Sequence, residues 1–299
     1  MGHEPSTDLP SRRPDGSDAV GLAPATDALA QGSDRRTPDG ALACDSQDAA
    51  WTATVDANAY SYQAMAWAPY GAAEYGWDTY LPLIQQEIGT GCAPQSLGFA
   101  RALAAFQARY NLAPTGLFDE ATFQVFRGVW QDRRPFIMAR VRNEPCPDPP
   151  PLNQLGYLVG AEEHADRLTR LLRRDTLEAY RQMVAAARRE VPEIAANPEL
   201  LQIFSGFRDP EADAARCATE GNCDGQRRAV CSAHRTGAAV DLYVGHLEGL
   251  SVDSTRPESR AYMARSPTYM WLVKNAGRFG FVPYAYEPWH WEYVRSPQS

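Results

Sequence analysis

The chain has 299 residues, 44% of them hydrophobic, which is enough for two modest domains with packed cores, and its formal net charge is −8. That charge argues against a nucleic-acid partner and leaves no polybasic patch for a membrane surface. No apolar run is long enough to span a bilayer.

Residues 1–43 are rich in Pro, Gly, Asp, Ser and Ala without apolar periodicity, and read as a disordered leader. They lack the basic start and apolar core of a secretory signal, so no signal sequence is expected in this chain. Six cysteines, Cys44, Cys92, Cys146, Cys217, Cys223 and Cys231, form an even set in loop-like stretches. Their positions suggest Cys44 with Cys92 and pairing among the other four, which implies an oxidising, extracytoplasmic compartment, periplasmic or secreted. A zinc cluster of Cys217, Cys223 and Cys231 is the competing reading, although their spacing offers no Cys-x-x-Cys knuckle.

Residues 44–135 read as a helical unit. Trp77 to Ile88 and Leu97 to Tyr110 carry helical apolar spacing, and a third helix is expected from Asp119, with Thr122 at capping distance. The run Ala105-Phe-Gln-Ala-Arg-Tyr-Asn-Leu112, then Thr115-Gly-Leu-Phe-Asp119 and Thr122, resembles the three-helix peptidoglycan-binding module. The resemblance implies a helper that adds no catalytic group and raises the local concentration of a wall polymer. A purely structural helical domain is the alternative. A Pro-rich linker is expected at 136–155, where Glu144 to Leu152 is too proline-dense for helix or central strand.

The remaining domain, 156–299, opens with a charged helical stretch from Glu162 to about Arg189, with Leu168, Leu171, Leu172 and Met183 at helix-compatible positions. Further on, Ser232-Ala-His-Arg-Thr-Gly-Ala-Ala-Val-Asp241 changes character at Gly237, which suits a tight turn or a close backbone approach. Ala239 to Val244 then alternates as a strand, with Val240, Leu242 and Val244 on one face and Asp241 on the other. An aspartate in mid-strand calls for a compensating partner. Pro267 to Phe279 reads as a helix closed by Gly277 and Gly280.

Near the end stands Glu287-Pro-Trp-His290-Trp-Glu-Tyr293. Pro288 biases Glu287 to extended backbone and the aromatic run favours a strand, so this is not a helical His-Glu-x-x-His site. Together the two segments supply two imidazoles and a carboxylate, donor types that a catalytic zinc takes in threes, with Glu287 left as a base. His3, His164 and His246 match no motif and are read as surface or structural, and Trp291 and Tyr293 as core.

The pattern Ser-x-His-x-x-Gly-x-Ala-x-Asp followed by Glu-Pro-Trp-His resembles the VanY-type D-alanyl-D-alanine carboxypeptidases, zinc enzymes of the lysostaphin, D-Ala-D-Ala metallopeptidase and hedgehog (LAS) fold group. The resemblance implies an α+β fold, a small antiparallel sheet with the zinc site and packed helices. It makes His234, Asp241 and His290 the ligands of one Zn2+ per chain and Glu287 the general base. Phe204-Ser-Gly-Phe-Arg208 resembles the family's Ser-Gly-Tyr-Arg segment, which would give Arg208 the developing negative charge of the scissile carbonyl. Ser232 would contact the substrate's terminal residue, and Trp289 would line the cleft. The segment after Arg208, Asp209-Pro-Glu-Ala-Asp213, departs from the serine and glutamine of many relatives and bears on substrate preference. The expected activity is removal of terminal D-alanine from peptidoglycan stem peptides. The alternatives are a D,D-endopeptidase, a catalytically silent wall-binding protein, and an iron(II) oxygenase, the last disfavoured because its His-x-Asp spacing is closer.

Overall fold

The computed structural model describes residue 44 and residues 47–164, 171–220 and 232–294; the expected leader, 1–43, lies outside them. The architecture below belongs to the compact unit 39–299.

Helix α1 (Thr52–Ala64) leads into a short hairpin of β1 (Ala66–Trp67) and β2 (Glu74–Tyr75), followed by α2 (Leu81–Ile88), α3 (Leu97–Arg109), α4 (Glu120–Asp132) and α5 (Pro135–Val141). The three expected helices correspond to α2, α3 and α4. Asp119 caps α4 by accepting from Thr122 N at 2.8 Å, and Ser96 caps α3. Helix α1 and the hairpin were not expected. Within its span α1 buries only Asn58, so it has no apolar stripe to read. It is anchored instead by that side chain, which donates to Gly116 O and accepts from Phe118 N, each at 2.9 Å. Trp77, Tyr80, Phe99, Phe106, Phe118, Phe123 and Phe126 build the core of this part.

No regular structure runs from 144 to 151. Strand β3 (Leu155–Tyr157) pairs antiparallel with β4 (Leu171–Arg173), and α6 (Arg174–Glu190) follows directly. The helix expected from Glu162 therefore starts at Arg174. Leu171 and Leu172 serve the two-stranded pairing first, with Leu172 opposite Gly156 and fully buried. Leu168 lies outside the described residues.

After α7 (Pro192–Ala196) come β5 (Ile203–Ser205), α8 (Pro210–Glu220), β6 (Ala239–Leu242), α9 (Pro257–Ala264), α10 (Pro267–Asn275), β7 (Phe281–Tyr284) and β8 (Glu287–Tyr293). The expected helix to Phe279 is α10 plus a 3-10 turn, and Gly280 ends it in the left-handed region at φ 81°. Four strands form one antiparallel sheet in the order β5-β6-β8-β7. The result is the expected mixture of helices and small antiparallel sheets. Val240, Leu242, Trp291 and Phe204 of the sheet share one buried core with Met183 and Leu272 of the helices. Because both faces of the sheet are covered here, all four residues of β6 are buried, Asp241 included.

Two cores thus form, and they meet: Ala285 belongs to the aromatic core, and Val273 packs against both. Buried charge also joins them. Arg260 of α9 donates to Glu74 of β2 at 2.6 Å, to Tyr80 Oη at 2.7 Å and to the Tyr286 carbonyl at 2.7 Å. A disulfide links Cys44 to Cys92, as expected. Cys146 is disulfide-bonded as well, while Cys223, Cys231 and the side chain of Cys217 lie outside what is described.

Candidate metal centre

The register of the central sheet assembles the site. Asp241 and His290 are direct cross-strand partners of β6 and β8, as are Ala239 and Glu292, while Val240 and Trp291 oppose each other on the core face. Asp241, His290 and Glu292 therefore share one face. His234 arrives from a 3-10 turn, Ala233–Thr236, that Ser232 caps by accepting from His234 N at 3.3 Å. Gly237 closes the turn at φ 67°, where an added Cβ would meet Arg173 N at 3.0 Å. Both readings of this glycine, tight turn and close approach, hold.

His234, Asp241 and His290 are buried, and one donor atom from each lies within 4.8 Å of the others. The His234 Nε2 to Asp241 Oδ2 distance is 3.3 Å and His290 Nδ1 to Asp241 Oδ1 is 2.8 Å. Four-coordinate zinc with arms of about 2 Å has ligand–ligand edges of roughly 3.3 Å, so this donor set fits that ion.

The outer nitrogens fix the tautomers. His234 Nδ1 lies 2.8 Å from the Gly206 carbonyl, which can only accept, so Nδ1 carries the proton and Nε2 presents its lone pair inward. His290 Nε2 donates to Glu292 Oε1 at 3.2 Å, leaving Nδ1 to face Asp241. Glu292 in turn accepts from Arg134 Nε at 3.1 Å and Nη2 at 2.5 Å. A carboxylate behind a ligating imidazole is the usual outer partner of a metal histidine.

Charge states follow from these contacts. Burial opposes the ionisation of Glu292, but the His290 hydrogen bond and the Arg134 charge outweigh it and hold the carboxyl at about 2. Asp241 is likewise held far below the usual carboxylate range, because the two imidazoles overcome its burial. Burial lowers His234. In His290 burial loses to the hydrogen bonds with Asp241 and Glu292, and the ring is raised to about 9. Glu287 opens β8, half-buried and outside the three-residue donor group, and burial raises its carboxyl against the pull of His290. Charges on Asp241, Arg134 and Arg208 also act on it.

Most of the site residues read from sequence come together here. Arg208 follows β5; its backbone N–H donates to the His234 carbonyl at 3.2 Å, and its guanidinium donates to Ser205 Oγ at 3.1 Å. Trp289 is different: it lies on the core face of β8, 3% exposed, and packs in the main core instead of lining a cleft. Strand alternation puts it opposite to His290. His164 and His246 flank Tyr243, with His246 Nδ1 3.0 Å from the Tyr243 hydroxyl. His3 lies outside the described residues. Glu292 and Arg134 were not singled out. The His290-x-Glu292 spacing was a readable signal for the first; nothing local marks Arg134, which is 158 positions away. Arg134, from the end of the helical unit, thus reaches the layer behind the donor group.

No curated protein matches the chain. A solved structure described as "Structure of the LdcB LD-carboxypeptidase reveals the molecular basis of peptidoglycan recognition" is similar at 22% identity and a TM-score of 0.36, over 50% of this chain and 72% of that one. Residues 169–296, which hold every sequence-predicted site residue, match the family model VanY, D-alanyl-D-alanine carboxypeptidase.

Proposed function

We propose that the protein is a zinc peptidase of peptidoglycan stem peptides that removes the terminal D-alanine. The buried His234, Asp241 and His290 triplet, with Glu287 beside it and the VanY match across it, carries this reading. The lysostaphin- and hedgehog-like fold group belongs to the same proposal. So does an extracytoplasmic location, in keeping with the Cys44–Cys92 disulfide. No helix among the described residues is long and apolar enough to cross a membrane.

When bound, zinc supplies a Lewis acid that polarises a carbonyl and lowers the pKa of a water. His234, Asp241 and His290 would hold it. Glu287 takes the proton of the attacking water and returns it to the leaving amine, and its raised carboxyl pKa suits the second transfer. Arg208, oriented by Ser205, brings positive charge to the oxyanion. Ser232 would contact the terminal residue. The helical part would hold the enzyme to the wall, as its resemblance to the peptidoglycan-binding module implies.

The test is incubation of the zinc-loaded protein with a pentapeptide muropeptide and, separately, a purified cross-linked dimer. Free D-alanine from the first with little cleavage of the second is expected. Conversion of dimer to monomers with the pentapeptide untouched would replace this reading with an endopeptidase, and no product from either would leave the wall-binding alternative.

A further inference from the structure

We propose that Arg134 is a positioning residue for the metal centre, acting through Glu292 on His290. It lies outside the VanY-matched residues, at the N-cap of α5, yet its guanidinium ends in the buried layer behind the site. Arg134 and Glu292 side chains are both 5% exposed. Two guanidinium nitrogens converge on Glu292 Oε1, and the same oxygen receives the His290 Nε2 proton. One oxygen is thus held between the arginine and the imidazole. The Tyr284 ring packs 4.2 Å from the guanidinium carbon, and Tyr284 also meets His290 edge-on with ring centroids 6.0 Å apart.

The physical reason is desolvation. A buried carboxylate needs a paired charge, and without the Arg134 fork nothing would hold Glu292 Oε1 in place behind the imidazole. The side chain would turn away and release the His290 ring plane. A lysine would neutralise the charge but could not hold one oxygen with a rigid two-nitrogen fork while stacking on Tyr284. The helical part then completes the metal site from outside the catalytic fold.

The inference rests on the metal-site reading, and zinc affinity of the full chain, measured by competition with a chromophoric chelator, tests it without reference to turnover. Arg134→Gln should weaken zinc binding roughly 10–100-fold, with Arg134→Lys between it and wild type. In an Glu292→Gln background, where the relay is already cut, Arg134→Gln should change affinity by less than about threefold. That double variant buries no unpaired charge, so it stays informative if Arg134→Gln alone misfolds; its affinity should match that of Glu292→Gln. The visible spectrum of the cobalt(II)-loaded protein should shift in Arg134→Gln and not further in the double variant. Unchanged zinc affinity in folded Arg134→Gln, or an equal loss in both backgrounds, overturns the relay. A wild-type chain that takes up no zinc overturns the metal site and the relay with it.

Discussion

Replacing Arg260 with Met tests how strongly the two cores are joined. Arg260 is fully buried, and it ties α9 to β2 through Glu74, to Tyr80, and to the backbone of Tyr286, the residue before Glu287. Its ring contacts with Tyr286 at 4.2 Å and Tyr80 at 5.3 Å add to the hold. Removing the guanidinium strands the Glu74 carboxylate, 4% exposed, with the Tyr80 hydroxyl at 3.0 and 3.2 Å as its remaining bonded partner among the described contacts. No solvent screening softens that loss, so Arg260→Met should cost about 3–5 kcal/mol. In a Glu74→Met background no charge is stranded, and the same substitution should cost under ~2 kcal/mol. Urea unfolding followed by tryptophan fluorescence and far-UV circular dichroism measures both. If Arg260→Met costs less than about 1 kcal/mol, or if the two substitutions simply add, the buried pair does not couple the cores.

Glu287→Gln keeps shape and hydrogen bonding but cannot take a proton, so zinc should remain bound while turnover falls by about 10²–10⁴-fold; loss of zinc as well would make Glu287 a ligand. His290→Ala should lose more zinc affinity than the roughly 10–100-fold typical of an outer partner, and retained full affinity would refute its assignment. The raised carboxyl of Glu287 must be ionised to act as base, so the acid limb of kcat/KM should lie above the ordinary glutamate range, and a limb at or below it would exclude Glu287. Glu292 is held at about 2, below the ordinary glutamate range, so its contribution to stability is complete above pH ~4.5 and lost as pH falls toward ~2. Unfolding titrations of Glu292→Gln should therefore show a weaker loss of stability across that window. Reducing Cys44–Cys92, which closes a separation of 48 residues, should cost up to about 4 kcal/mol by chain entropy, and a Cys44→Ser/Cys92→Ser variant as stable as wild type would contradict this.

Much of this protein was legible in its sequence because the signals are local. Alternation in Ala239 to Val244 and in Glu287 to Tyr293 marked two strands, and Gly237 marked the turn that sets His234 before Asp241. The two segments named every member of the donor triplet, since chemistry confines such a site to few residue types. Asp119 and Thr122 announced α4 through capping, which is decided within one turn of helix. What failed to show locally needed long-range contacts. Leu171 and Leu172 have helical spacing, but pairing with Leu155 to Tyr157 made them a strand. Trp289 next to His290 looked like a cleft residue until the strand alternation and the second layer buried it. Asp241 opposite His290 is a matter of register, which sequence leaves open and the packed sheet fixes. Arg134 is the extreme case: its partner is 158 residues away, and only the docking of two cores could bring its charge behind a histidine and dictate what that buried charge must pair with.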